Sequence, residues 1–192
     1  NANLLEVWGE GNLYSRFSLS GAGQMIIQPR TAGTSIGLAG GTGSLSLAAN
    51  LFSSCINGFS MVTVGNATAG DVTIGGALSY NDPLTLKTAG AIVVNTGVIL
   101  TGVAEQNAHL VLWADADGNG AGTIQMNSGS RISTNGGHLW MGGGAGTATW
   151  NGITVGNGYA TGTSSMLNGI MINGASINTD GGNMALHGKS AQ

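Results

Sequence analysis

The sequence predicts an all-β fold, a parallel β-solenoid whose coils run to roughly 20–30 residues. Three observations predict it: many short alternating apolar segments, Gly or Asn between nearly all of them, and internal repetition. Glycine supplies 36 of 192 residues, charged residues 7 % and hydrophobic residues 42 %. A disordered chain would combine low hydrophobicity with high charge, and this one has neither. Collagen is excluded, because Gly does not recur at every third position and there are only two Pro. Glycine inside a helix costs about 1 kcal/mol relative to Ala. A helical chain would carry that cost many times, whereas tight turns use Gly for its access to positive φ.

The strands follow from period-2 alternation. Short apolar segments recur at residues 44–47, 61–64, 71–74, 84–86, 91–94, 109–112, 123–126 and 170–172, and most alternate apolar with polar side chains. The intervals between them are too short for helical crossovers, so a βαβ architecture is excluded. Antiparallel sandwiches and solenoids both remain, and repetition decides between them. The run Ile92-Val93-Val94-Asn95-Thr96-Gly97 matches Ile124-Gln125-Met126-Asn127-Ser128-Gly129, and both resemble Ile170-Met171-Ile172-Asn173-Gly174. Residues 132–141 match residues 177–186 without a gap, and Asn107-Ala108-His109-Leu110 falls in register with Gly137-His138-Leu139. Stacked coils would place equivalent apolar residues above one another at strand spacing. Asn95, Asn127 and Asn173 would then form a structural ladder at one corner, their amides bonding up and down the stack. Residues 1–192 read as a single solenoid domain, a fragment or repeat unit of a longer chain.

In order along the chain, the segments at residues 34–47, 58–65, 70–75, 82–90, 110–118 and 133–139 resemble the repeat region of very large filamentous-haemagglutinin-like exoproteins of bacteria. The resemblance spans about residues 30–188. It implies a right-handed parallel β-helix exported across the envelope, often by two-partner secretion, and located outside the cell or on its surface. It implies a role in adhesion, aggregation or cell-surface fibres, and it brings no catalytic residues.

Charge narrows the partners. The net charge is −3, and five basic residues (Arg16, Arg30, Lys87, Arg131, Lys189) form no patch able to neutralise phosphates, so no nucleic-acid partner is expected. No run of about 18 apolar residues occurs, so no membrane insertion is expected. Neither end carries a charged cap: Leu4-Leu5-Glu6-Val7-Trp8 opens the first strand and Met184-Ala185-Leu186 forms the last. End-to-end self-association, or pairing with neighbouring coils of a parent chain, is the expected contact. Host or cell-surface glycans are a further expected partner, because Trp8, Trp113, Trp140 and Trp150 could line a sugar-binding face.

The chain is not expected to be an enzyme. Polysaccharide cleavage needs paired carboxylates, or a base with metal and arginine support. Of Glu6, Glu10, Asp71, Asp82, Glu105, Asp115, Asp117 and Asp180, only Asp115 and Asp117 are close in sequence. A carbohydrate-binding or polysaccharide-cleaving β-helix protein is the alternative reading. Asp115, Asp117 and Asn119 place oxygens at alternating positions around Gly118, the start of a Ca²⁺ loop, although the distal Glu of an EF-hand is missing. No other cofactor is expected. His109 and His138 occupy equivalent repeat positions, with Asn183 in the third, and read as a solvent-facing column. Cys55 is alone and reads as a small buried apolar residue. Thr147 and Thr149 do not recur at coil spacing, which argues against ice binding.

Overall fold

The computed structural model describes residues 4–13, 18–103 and 108–191, and these form short strands and one π-helix. Arg16, Glu105 and Asn107 lie outside the described residues. The chain begins with β1 (Leu4–Gly9), β2 (Gly11–Leu13) and β3 (Leu19–Ser20). A second circuit holds β4 (Gln24–Pro29), β5 (Ile36–Leu38), β6 (Leu45–Leu47), the π-helix (Leu51–Cys55) and β7 (Ile56–Asn57). Two compact circuits follow: β8 (Met61–Gly65), β9 (Val72–Ile74) and β10 (Leu78–Tyr80), then β11 (Leu84–Lys87), β12 (Ile92–Val94) and β13 (Ile99–Gly102). Next come β14 (Leu110–Trp113), β15 (Ile124–Met126) and β16 (Arg131–Ser133). The last strands are β17 (Leu139–Trp150), β18 (Ile153–Gly158), β19 (Ala160–Thr161), β20 (Ile170–Ile172), β21 (Ser176–Asn178), β22 (Met184–Leu186) and β23 (Gly188–Lys189).

The chain visits three main sheets in rotation. The first runs β1-β4-β8-β11-β14-β17, with β22 on the far side of β17. The second runs β2-β6-β5-β9-β12-β15-β20 and the third β10-β13-β16-β21. Every pairing within these three runs is parallel, and the fold is nearly all β, consistent with a β-helix. Val62 pairs with Leu84, Leu84 with Leu110 and Leu110 with Leu139, steps that fall inside the expected coil length.

In-register pairing is what builds the core. The columns Met25-Val62-Leu84-Leu110-Leu139, Ile36-Val72-Ile92-Ile124 and Leu78-Leu100-Ile132 point inward and are all but inaccessible to solvent. Full burial of such a side chain stabilises the fold by about 1.5–3 kcal/mol. Polar groups at the corners are satisfied locally: Thr88, fully buried, donates to the Ala69 carbonyl at 3.0 Å and accepts from the Gly90 N–H at 3.1 Å.

Two circuits are longer than their neighbours because each carries an addition. In the first, β5 and β6 pair in parallel across residues 39–44 alone, where a dozen or more residues are usual. The connection closes because backbone passes backbone: a Cβ on Gly41 would sit 2.0 Å from the Thr73 carbonyl oxygen. The π-helix follows and buries Leu51, Phe52 and Cys55. In the second, β17 leaves the first sheet after residue 142 and folds back on β18 as an antiparallel hairpin. Its two-residue turn is Asn151-Gly152, with φ of 46° and 77°, the conformation a type I′ hairpin demands.

Candidate functional site

The outward face of the first sheet is the only place among the described residues where a second apolar cluster forms. Outward-pointing Ile26, Thr63, Thr85, Val111 and Trp140 pair in succession across β4, β8, β11, β14 and β17. The hairpin lies over the end of this row, and Ile153 and Val155 pack on Val111, Trp113 and Trp140. Strand β14 is therefore buried on both faces. The Trp113 indole N–H donates to the Gly144 carbonyl at 2.9 Å and its ring meets Trp140 edge-on at 6.3 Å. Where the hairpin overhangs β4, β8 and β11, a groove of about 710 Å³ remains, lined among others by Gln24, Gln28, Thr63, Lys87, His109 and Thr154.

Lys87 is the groove's amine. Its Nζ stands 3.8 Å from the centre of the Trp113 ring, and burial lowers its pKa. Among the described residues, no carboxylate lines the groove. Beside it, His109 and His138 stack with ring centres 4.7 Å apart and planes 14° from parallel. The His138 N–H donates to Nδ1 of His109 at 2.9 Å, and the Asn183 N–H donates to Nδ1 of His138 at 2.9 Å. Each imidazole thus accepts at Nδ1 and keeps its proton on Nε2. Burial, then the neighbouring His138, lowers the pKa of His109. His138 meets Trp150 of the hairpin at 5.8 Å, and His187 meets Trp140 at 5.7 Å.

The column expected at His109, His138 and Asn183 is therefore in register, but both imidazoles are half-buried and only Asn183 is exposed. Of the tryptophans, Trp113 and Trp140 are buried beneath the hairpin, which removes them as open platforms for sugar rings. Trp8 is exposed on β1, far along the sheet, and Trp150 is half-exposed on the hairpin.

Asp115, Asp117 and Asn119 lie in one loop, as their spacing requires, and the loop itself uses the oxygens of Asp115 and Asp117. Asp115 is buried with φ of 49°, and its Oδ1 accepts from the Gly120 N–H at 3.1 Å. Asp117 accepts from the Asn119 amide side chain at 2.7 Å and from its backbone N–H at 3.3 Å. No group of three or more His, Cys, Asp or Glu gathers at a metal-binding distance among the described residues. Asn95, Asn127 and Asn173 follow paired residues of β12, β15 and β20, so they share one corner. Their backbone N–H groups donate to Ile74, Val94 and Met126 of the preceding circuits. The amide side chain of Asn127 accepts from Gln125 two residues earlier, and no side-chain bond links the three among the described residues. The amides are half- to fully exposed, where water competes for them.

The remaining carboxylates are dispersed. Asp71 accepts from the Ala91 N–H at 2.8 Å. Asp82 is buried, accepts from the Gly58 N–H at 2.9 Å through Oδ1, and leaves Oδ2 without a partner; burial pushes its pKa up. Sequence reasoning missed the hairpin and with it the groove, although Asn151-Gly152 between alternating segments is the strongest short-range hairpin signal. No helix among the described residues is long and apolar enough to cross a membrane. The chain matches no family model, no curated protein and no solved structure.

Proposed function

We propose that the chain is a right-handed parallel β-helix module of an extracellular or cell-surface fibre, an adhesin-like part similar to filamentous-haemagglutinin-like exoproteins, and that its work is contact and assembly rather than turnover. The observation that carries this reading is the state of the two ends of the stack. The in-register columns run to the outermost strands and finish on apolar residues facing solvent: Leu5, which pairs with Met25, is 36 % exposed on β1, and Met184 and Leu186 are 42 % and 40 % exposed on β22. Outermost strands also present unpaired backbone groups, which template a further strand. Another coil, from a second copy or from the same parent chain, would complete both columns.

The experiment is sedimentation of the purified chain over a wide concentration range, with electron microscopy of the concentrated sample. End-to-end association into rods is expected, and the double substitution Met184→Lys, Leu186→Lys should shift it toward monomer by charging one edge. A monomer at every concentration, or association indifferent to the substitutions, overturns the assembly reading.

The groove under the hairpin favours a second reading, carbohydrate binding. It gathers amides and hydroxyls over a cavity of about 710 Å³, within the size range of ligand sites. Cleavage would need carboxylates at the bound ligand, and the described residues lining this groove include none.

A further inference from the structure

We propose that the groove beneath the hairpin binds an acidic oligosaccharide, with Lys87 receiving the single negative charge of one sugar unit. The inference rests on the carbohydrate-binding reading above and adds to it the ligand class and the residue that selects it.

The first observation is an uncompensated cation. Lys87 is half-buried, and its amine is held against the face of Trp113 at 3.8 Å. Trp113 is itself held at its edge by the bond from its indole N–H to the Gly144 carbonyl in the hairpin. The ring face offers the ammonium a modest attraction, and among the described residues no Asp or Glu pairs with it or lines the groove. Taking a charge out of water without an opposite charge is unfavourable. An incoming anion reverses that, whereas a neutral ligand would bury the amine further and leave it unpaired. The described residues lining the groove include no Asp or Glu, although the chain as a whole carries net charge −3.

The second observation concerns what surrounds the amine. Gln24, Gln28, Thr63, Thr85 and Thr154 offer donors and acceptors together, which suits hydroxyl-rich rings. Asn66 already donates to Gln28 at 2.9 Å, so that amide is oriented before any ligand arrives. The lining crosses four neighbouring strands, about 14 Å at roughly 4.8 Å per strand, a length for a short oligosaccharide rather than one ring. One lysine suits one anion at a time. A nucleic acid would need several cations along the same path.

A carboxylate or a sulfate on the sugar would meet Lys87 alike, so both are tested. The folded chain is titrated by calorimetry with tetragalacturonate, its methyl ester and a sulfated galactan tetrasaccharide. At least one acid should bind, and its affinity should fall with added salt. The methyl ester, with the same rings and no charge, should bind at least about tenfold more weakly. Lys87→Met should cost at least about tenfold, and Lys87→Arg should retain most of the affinity. Thr154→Glu, an exposed change on the hairpin that leaves the Lys87–Trp113 packing alone, should weaken binding as well if Lys87→Met proves misfolded by circular dichroism. Equal binding of acid and ester, binding of neither acid, or indifference to both Lys87→Met and Thr154→Glu overturns the proposal. Failure here leaves the sedimentation result untouched, so the assembly reading stands or falls separately.

Discussion

At the scale of single residues, the unusual feature is a stack of imidazoles used as acceptors. Nδ1 of His109 and of His138 each receive a backbone N–H from the next circuit, so protonation at Nδ1 would replace a hydrogen bond with two opposed donors. The rings are also 4.7 Å apart, close enough for two positive charges to repel strongly. The pKa of His109 is lowered from its ordinary 6.5, by burial first and by His138 second. The sign follows: above about pH 6.5 the His109 imidazole is neutral in both the folded and the unfolded chain, and its packing contributes fully. Below it the unfolded chain takes up a proton at His109 that the folded chain resists, and stability falls. The melting temperature should therefore drop between pH 7.5 and 5.5, a range chosen to straddle the ordinary value. Asp82, raised by burial, acts in the opposite sense, so the imidazoles have to be isolated by substitution. His109→Asn with His138→Asn keeps an acceptor oxygen near each Nδ1 position and removes the titration. The double variant should match the parent at pH 7.5 and lose most of the drop. An unchanged drop would assign the acid sensitivity elsewhere.

At the scale of elements, two glycines separate the costs of conformation and of close approach. Gly152 in the hairpin turn has φ of 77°, and a Cβ there would meet nothing within 4 Å. Gly152→Ala should therefore cost only the left-handed penalty, about 1–2 kcal/mol. Gly41, in the connection from β5 to β6, has no positive φ, but its Cβ would land 2.0 Å from the Thr73 carbonyl oxygen. Gly41→Ala forces backbone apart and should cost more than Gly152→Ala, as urea unfolding would measure. The same two sites mark how far the sequence could be read. Alternation at residues 61–64, 84–86, 92–94 and 124–126 is legible because each apolar residue has one buried face to occupy, and strands lie there. The β5–β6 connection is not legible, since the contact of Gly41 with Thr73 appears only once three strands are stacked. The hairpin was signalled by Asn151-Gly152. Its landing place was not, because Val111, Trp113 and Trp140 read as strand residues whichever face is covered. The groove, and Lys87 within it, inherit that blindness: nothing in the spacing of Lys87 says that a distant hairpin will overhang it. The Asp115 loop was legible as a turn from Gly118 and Asn119, whereas the turning inward of the Asp115 carboxylate depends on Gly120 reaching it.

At the scale of the whole molecule, each circuit touches mainly the one before and the one after, so stability is close to a sum of local and neighbour terms. Circuits flanked on both sides bury their columns completely: Leu84, Leu86, Ile92, Val94, Leu110 and Leu112 are inaccessible to solvent. The outermost strands do not. Leu4 and Leu5 are exposed on β1, Ile172 on β20 and Leu186 on β22. Such a stack should open from its ends, because the residues there lose one neighbour's worth of packing before any unfolding begins. Native-state hydrogen exchange at low protein concentration should show the slowest amides in β11, β12, β14 and β15, with rates rising toward β1 and toward β20–β22. Leu112→Ala, which hollows the central stack, should cost about 2–5 kcal/mol and raise exchange on both sides of it. The edge changes Met184→Lys and Leu186→Lys should speed exchange in β22 alone at the same dilution. Concentrating the parent chain should then slow exchange at the outermost strands while the centre stays as it was, since a second copy can protect only the edges it covers. Uniform exchange along the chain, insensitive to concentration, would mean that the ends are as well held as the middle and that no coil is missing from either.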